Sequence, residues 1–251
     1  MGLRGCGSVA DTVAQGGAAE SRTASPEAKT LPAELLRVNA QSPQGEVLRY
    51  AAHFLTRGRV VGIPTDTFYG LAADPFNLAA VDEIYRVKGR PETRALPILV
   101  NSLEQALMLV RDRDEESAGV KTAPAKFLRL VEAFWPGGLT LVMDASNRVP
   151  LKVTANTGKV ALRWPKSAVV EQLINEFEGP ITGTSANVSG FPSCSCADQV
   201  MKQLGNRLPL VLDGGDTGAA LPSTIIELLG EEWKVLREGA IPVAEIEKAL
   251  Q

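Results

Sequence analysis

Arg86, Lys88, Arg90 and Arg94 crowd four cations into one short stretch of the sequence. Two like charges about 4 Å apart oppose each other by roughly 4 kcal/mol at an intermediate dielectric, so a cleft into which they converge calls for an anion. Arginine's planar fork suits phosphate oxygens, and lysine adds a point charge. On a helix C-terminus the same cations would be favoured by about 0.3–1 kcal/mol each, as a solvated, dipole-capping surface. Three small-polar turns favour the cleft: Thr65-Asp66-Thr67, Thr184-Ser185-Ala186-Asn187 and Pro222-Ser223-Thr224. Glycines beside these turns permit close backbone approach to a ligand. Arg163 and Arg237 each close an apolar run and could add charge to the same place.

The residue types that are scarce narrow the chemistry further. His53 is the only histidine, and it falls in an amphipathic segment away from these turns. A Ser-His-Asp triad, a His-rich zinc site and a histidine general base near the turns are therefore hard to build. Transfer at a phosphate, which works by positioning and charge, suits the remaining inventory. No Walker A sequence is present, and no Gly-x-Gly-x-x-Gly opens a helix after a strand, so a nucleotide site must be of another kind. The cysteines are Cys6, Cys194 and Cys196, an odd number without zinc spacing, and the expectation is no bound metal and reduced thiols in the cytoplasm.

The turns need strands and helices to hold them. The β-branched run 60–63 reads as a buried strand stopped by Pro64, which delivers Thr65, Asp66 and Thr67 to its carboxyl end. Ligands of open α/β sheets bind at such ends. Asn77 caps a helix with Val81, Ile84, Tyr85 and Lys88 on one face, ending at Gly89. Helical periodicity also marks 46–57, the segment opened by Ser102 and Gln105, a helix beginning at Thr122 or Ala123, 167–177, a short helix capped by Asp198, and a last one opened by Pro242. Strands are expected at 96–100, 139–143, 160–165, 180–182 and 208–212. A hairpin is expected from 224–229 and 233–236 around Gly230, and Leu35, Leu36 and Val38 suggest an edge strand. Strands alternating with helices, then a late hairpin, indicate α/β: a twisted open mixed sheet flanked by helices.

The chain has 251 residues, 45% hydrophobic and 22% charged, with a net charge of −3. That is ordinary globular composition in one large domain, and it disfavours a duplex-coating protein, which would be strongly basic. Residues 1–42 are rich in Ala, Gly and Ser and read as a flexible leader; organelle targeting by it is the alternative, opposed by Asp11, Glu20 and Glu27. No apolar run is long enough to span a bilayer, so no membrane partner is expected.

Taken in order, Pro64-Thr65-Asp66-Thr67-Phe68-Tyr69-Gly70-Leu71, Lys88-Gly89-Arg90-Pro91, Trp135-Pro136-Gly137-Gly138-Leu139-Thr140, Ser185-Ala186-Asn187 and Ser223-Thr224-Ile225-Ile226 resemble the YrdC family of L-threonylcarbamoyladenylate synthases. The resemblance runs from about Pro43 to the C-terminus. Each short motif is weak alone, whereas the ordered set is specific. It implies the YrdC and dihydroxybutanone-phosphate-synthase type of sheet, and a single catalytic domain over 43–251.

The resemblance also implies a reaction. L-threonine, bicarbonate and ATP, the last with Mg2+, give threonylcarbamoyl-AMP and pyrophosphate, with no permanently bound cofactor. The product passes to a tRNA threonylcarbamoyl transferase complex that modifies adenosine 37. By the same resemblance, Lys88 and Arg90 carry catalysis and, with Arg94, hold the ATP phosphates. Ser185, Asn187, Ser193 and Arg237 line the nucleotide. Thr67, Gly183 and Ser223 meet the threonine, and Arg163 pairs with its carboxylate. Two features depart from many members: Gly138 stands where proline is common, and Leu99-Val100-Asn101 lacks the usual strand histidine. The alternative is an RNA-binding module without catalysis, its basic loop gripping phosphates, and weak tRNA or double-stranded RNA binding is also expected of the enzyme.

Overall fold

The computed structural model describes residues 32–111, 124–230 and 232–251. In chain order its elements are β1 (Glu34–Arg37), α1 (Gly45–Thr56), β2 (Val61–Ile63), β3 (Gly70–Ala72), α2 (Leu78–Lys88), β4 (Ile98–Leu99), α3 (Leu103–Leu109), α4 (Ala125–Phe134), β5 (Leu139–Asp144), β6 (Lys159–Arg163), α5 (Ala168–Phe177), β7 (Ile181–Thr182), β8 (Thr184–Ser185), α6 (Ala197–Leu204), β9 (Leu210–Asp213), β10 (Thr224–Leu229), β11 (Glu232–Arg237) and α7 (Val243–Leu250).

The fold is mixed α/β, as the alternation of patterns implies, with the strands divided between two sheets. One has the order β1-β9-β2-β3-β8 and the other β11-β10-β5-β6-β4-β7, and both mix parallel and antiparallel pairs. Residues 60–63 behave as their composition demands: Val61 and Ile63 are fully buried, and the strand stops before Pro64. The chain then turns through Thr65–Phe68 and comes straight back as β3, antiparallel to β2, a short strand with no signal of its own in the sequence.

One face of the five-stranded sheet presents Val61, Ile63, Leu210 and Leu212 to Leu48, Leu55, Leu173 and Ile174 of α1 and α5. The larger core lies on the opposite side and includes the inward residues of the six-stranded sheet, Leu139, Leu141, Val160, Leu162 and Ile226. Since side chains alternate across a strand, Thr140, Val142, Lys159, Ala161, Arg163, Ile225 and Glu227 share the other face. That face becomes a wall of the site.

Helix starts follow ordinary capping chemistry. Asn77 Oδ1 accepts from the backbone amides of Ala79 and Ala80, Ser102 Oγ from Gln105, and Ser167 Oγ from Val170. Gly89 ends α2 in the left-handed conformation with φ 58°, where glycine avoids the Cβ penalty.

Three sequence expectations change. The hydroxyl-rich stretch at Thr184-Ser185 is a strand, not a loop, because its backbone pairs with Gly70 and Leu71 of β3. Asp198 lies in the first turn of α6, and Cys196 takes the N-cap position without a side-chain bond. The strand expected over 96–100 is regular only at Ile98–Leu99. Residues 34–37 pair in parallel with β9 at the edge of the five-stranded sheet, as Leu35, Leu36 and Val38 suggested. Residues 1–31 and the proposed helix start at Thr122 or Ala123 lie outside the described residues, where α4 is seen from Ala125.

Candidate active site

Between the two sheets is a cavity of about 420 Å³. Both sheets line it. Thr65, Thr67, Thr184 and Ser185 come from the five-stranded sheet and its turns, and Leu99, Thr140, Arg163, Ile225 and Arg237 from the six-stranded one. Gly183 stands where the chain passes from one sheet to the other, between β7 and β8. A Cβ at this position would sit 2.4 Å from the Leu99 side chain, so only glycine lets the two sheets approach here. Leu99 lies opposite Arg163 in the β4–β6 register.

Eight of the eleven expected site residues meet in this cavity: Thr67, Arg90, Arg163, Gly183, Ser185, Ser193, Ser223 and Arg237. Arg163 is fixed from three sides. Its Nε donates to the Gly137 carbonyl at 3.0 Å, Nη1 to Thr67 Oγ1 at 2.8 Å, and Nη2 to Asp66 Oδ1 at 2.6 Å. The Trp135-Pro136-Gly137-Gly138 turn, with a cis bond before Pro136, thus supplies a carbonyl to the arginine. Thr65 Oγ1 in turn donates to the Phe68 carbonyl and accepts from the Thr67 amide, holding the turn that presents Thr67.

Arg237 spends Nε and Nη2 on the Ser223 carbonyl, and Nη2 also donates to Ser223 Oγ at 3.1 Å. Arg90 donates from Nη1 to Thr184 Oγ1 at 3.2 Å and from Nη2 to the Ala95 carbonyl at 3.0 Å, while its buried Nε has no partner among the described residues. Burial lowers the pKa of all three arginines, and Arg163 lowers that of Arg237 further by like-charge repulsion. A cavity that disfavours its own cations is one that an anion stabilises.

Lys88, Asn187 and Arg94 lie elsewhere. Lys88 is 1% exposed. Its Nζ reaches the carbonyls of Ser185 and Asn187 and also Asn187 Oδ1, so each ammonium hydrogen has an acceptor. Asn187 Oδ1 accepts from Ser185 Oγ at 2.6 Å, and its Nδ2 donates to the carbonyls of Val188 and Phe191. Lys88 and Asn187 therefore brace the back of the strand whose front, Ser185, faces the cavity. Burial, then the charge of Arg90, brings the Lys88 pKa down to about 7. Arg94 is exposed beyond the rim.

The sequence reading missed Thr140, Lys159 and Glu227. Lys159 pairs with Glu227, whose second oxygen takes Lys234 at 2.8 Å. Burial alone would raise the Glu227 carboxyl, yet hydrogen bonds and charge from the two lysines hold it below the usual range. Strand alternation puts them on one face with Arg163, which the sequence had singled out. Among the described residues no three His, Cys, Asp or Glu side chains cluster to hold a metal ion, and no helix is long and apolar enough to cross a membrane. Cys194 and Cys196 are free thiols.

A family model described as "Telomere recombination", for Sua5, YciO and YrdC, matches residues 53–239. The chain belongs to this family. Threonylcarbamoyl-AMP synthase of Pyrococcus abyssi is 38% identical over 205 residues, covering 81% of this chain and 57% of that protein. The synthase of Vibrio parahaemolyticus is 34% identical over 185 residues, covering 74% of this chain and 95% of that protein. The crystal structure of P. abyssi Sua5 complexed with L-threonine superposes with a TM-score of 0.79 at 35% identity, over 86% of this chain and 60% of that one. The chain thus spans little more than half the length of its Pyrococcus relative. Family membership, and relatives named as synthases, do not favour RNA binding without catalysis.

Proposed function

We propose that this protein joins L-threonine, bicarbonate and ATP into threonylcarbamoyl-AMP with release of pyrophosphate, acting as a nucleotidyltransferase. The observation that carries this reading is the convergence of Arg90, Arg163 and Arg237 with hydroxyls from two sheets in one cavity. Relatives bearing the synthase name support it, as does the related structure complexed with L-threonine.

The chemistry suits such a site. The threonine amine and bicarbonate give a carbamate and water. A carbamate oxygen then attacks the α-phosphorus, forming one P–O bond while the bond to the leaving pyrophosphate breaks. The protein supplies no nucleophile; it holds two anions together and absorbs charge as it moves to the leaving group. In this reading Arg90 takes phosphate oxygens, with Ser185 and Ser193 beside the nucleotide, and Arg163, Thr67, Gly183 and Ser223 receive the amino acid. Lys88 acts through Ser185 rather than on phosphate, and Arg237 acts partly through Ser223. Mg2+ would enter on the ATP phosphates, because Asp66 and Glu227 are already paired with cations. It would offset phosphate charge there.

The product would pass to a tRNA threonylcarbamoyl transferase complex for adenosine 37, with weak tRNA contact at most. The folded body is the catalytic unit behind a leader, and the two free thiols suit the reducing cytoplasm. The test is pyrophosphate release by the full chain with ATP and magnesium. Release that requires both threonine and bicarbonate is the expected result, and release indifferent to threonine sinks the reading.

A further inference from the structure

Ser223 Oγ sits between two donors. Arg237 Nη2 gives it a hydrogen at 3.1 Å, and Thr140 Oγ1 gives it another at 2.9 Å. A hydroxyl oxygen has two acceptor sites and one hydrogen. Both acceptor sites of Ser223 are therefore filled by the protein, and its own hydrogen is left for the cavity that Ser223 lines. Thr140 is 2% exposed, and its side chain has no other hydrogen-bond partner among the described residues. The bond is not required to align the strands: β5 and β10 already pair from Thr224↔Leu139 to Glu227↔Val142, and the Thr224 amide donates to the Gly138 carbonyl at 2.9 Å. A valine would fill the same volume in the middle of a strand.

We infer that Thr140 is a positioning residue that makes Ser223 a one-way donor, so that the site accepts an anionic oxygen of the amino-acid substrate and refuses a donor group there. Arg163 lines the same cavity, and its bonds to Gly137, Thr67 and Asp66 use three of its five N–H groups, so two donors remain beside Ser223's own. Such a wall fits a carboxylate or carbamate oxygen, and opposes an ammonium or amide nitrogen. This inference rests on the synthase reading for the identity of the amino acid, but the geometry of the three side chains does not depend on it.

The experiment compares wild type, Thr140→Val, Thr140→Ser, Ser223→Ala and the Thr140→Val/Ser223→Ala double variant in threonine- and ATP-dependent pyrophosphate release. Loss of one neutral hydrogen bond in the cavity should raise KM for L-threonine about three- to tenfold in Thr140→Val. KM for ATP should stay put, and Thr140→Ser should restore the wild-type value. Adding Thr140→Val to Ser223→Ala should change nothing further, since the threonine acts only through the serine. A KM for L-threonine unchanged in Thr140→Val, or additive losses in the double variant, overturns the inference. So does a matched rise in both KM values with a lowered melting temperature. Should Thr140→Val fail to fold, Thr140→Ala is read against the same criteria. An inactive wild type would sink the proposed reaction instead. Calorimetric titration with L-threonine would then decide the positioning role: weaker binding in Thr140→Val upholds it, and equal binding, or none to either protein, rejects it.

Discussion

Lys88 Nζ donates to the Asn187 carbonyl at 2.9 Å, joining the end of one helix to a turn 99 positions later. Two more acceptors, the Ser185 carbonyl and Asn187 Oδ1, complete its shell. The lysine is thus a clamp on the strand that carries Ser185 into the cavity. Lys88→Ala leaves buried acceptors without donors, a loss on the order of 1–3 kcal/mol for each group left dry. The expected outcome is a lowered melting temperature together with most of the activity lost. A variant that melts like wild type while losing only ATP affinity would return Lys88 to the phosphates.

The same residue should leave a mark on stability as pH changes. Its folded pKa is about 7 against the ordinary 10.5, so between these values the unfolded chain binds more protons than the folded one. Unfolding free energy then rises with pH across this window, and the cost of burying the charge is complete below about pH 7. Relative to Lys88→Met, wild type should gain stability from about pH 7 to about pH 10 in urea melts. A difference between the two proteins that stays flat over that range would show Lys88 keeping its proton to the usual lysine pH.

Asp66 and Arg163 form the best-buried ion pair of the site, 2.6 Å apart with side chains 16% and 9% exposed. Removing the carboxylate leaves a nearly buried guanidinium without its counter-charge. Asp66→Ala is expected to cost about 3–5 kcal/mol in urea unfolding. Arg163→Met should cost less, because the carboxylate it leaves behind is nearer to solvent and the new side chain packs well. That variant should nonetheless lose threonine-dependent turnover. Equal destabilisation by both changes would mean that the pair contributes through shape rather than charge.

How far the sequence shows the site depends on whether a residue's role is local. Gly89 is legible because a glycine after a helical face is how helices end, and Arg90 follows from it. Lys88 and Arg90 look alike as cations in one cluster, yet Lys88 is the last helical residue and Arg90 lies beyond a left-handed turn, so they point to different places. Only the packing of β8 shows that the first is walled in. Thr184 and Ser185 look like a loop because two residues carry no period, and their pairing partner β3 lies far away in the chain. Thr140, Lys159 and Glu227 were hidden for another reason. Each is one tooth of an alternating strand, and alternation tells which residues share a face but not which face meets a cavity. Asp66 was visible as part of a turn, though its bond to Arg163 depends on two sheets coming together.

Arg90 offers the sharpest test of the nucleotide side. Its fork reaches Thr184 Oγ1 and the Ala95 carbonyl at once, and the Nε between them is buried with no partner among the described residues. Lysine keeps the charge but presents one compact ammonium, which cannot hold two anchors and a ligand in a plane. Hydrogen bonds to charged groups contribute about 1.5–3 kcal/mol, so Arg90→Lys should lower kcat/KM for ATP by about ten- to a hundredfold. KM for L-threonine should move far less, because Thr67, Arg163 and Ser223 are untouched by the change. The measurement is pyrophosphate release with ATP varied at saturating threonine, then the reverse. Wild-type kcat/KM for ATP in Arg90→Lys would mean that a point charge is enough, and that the phosphates are oriented by the hydroxyls of Ser185 and Ser193.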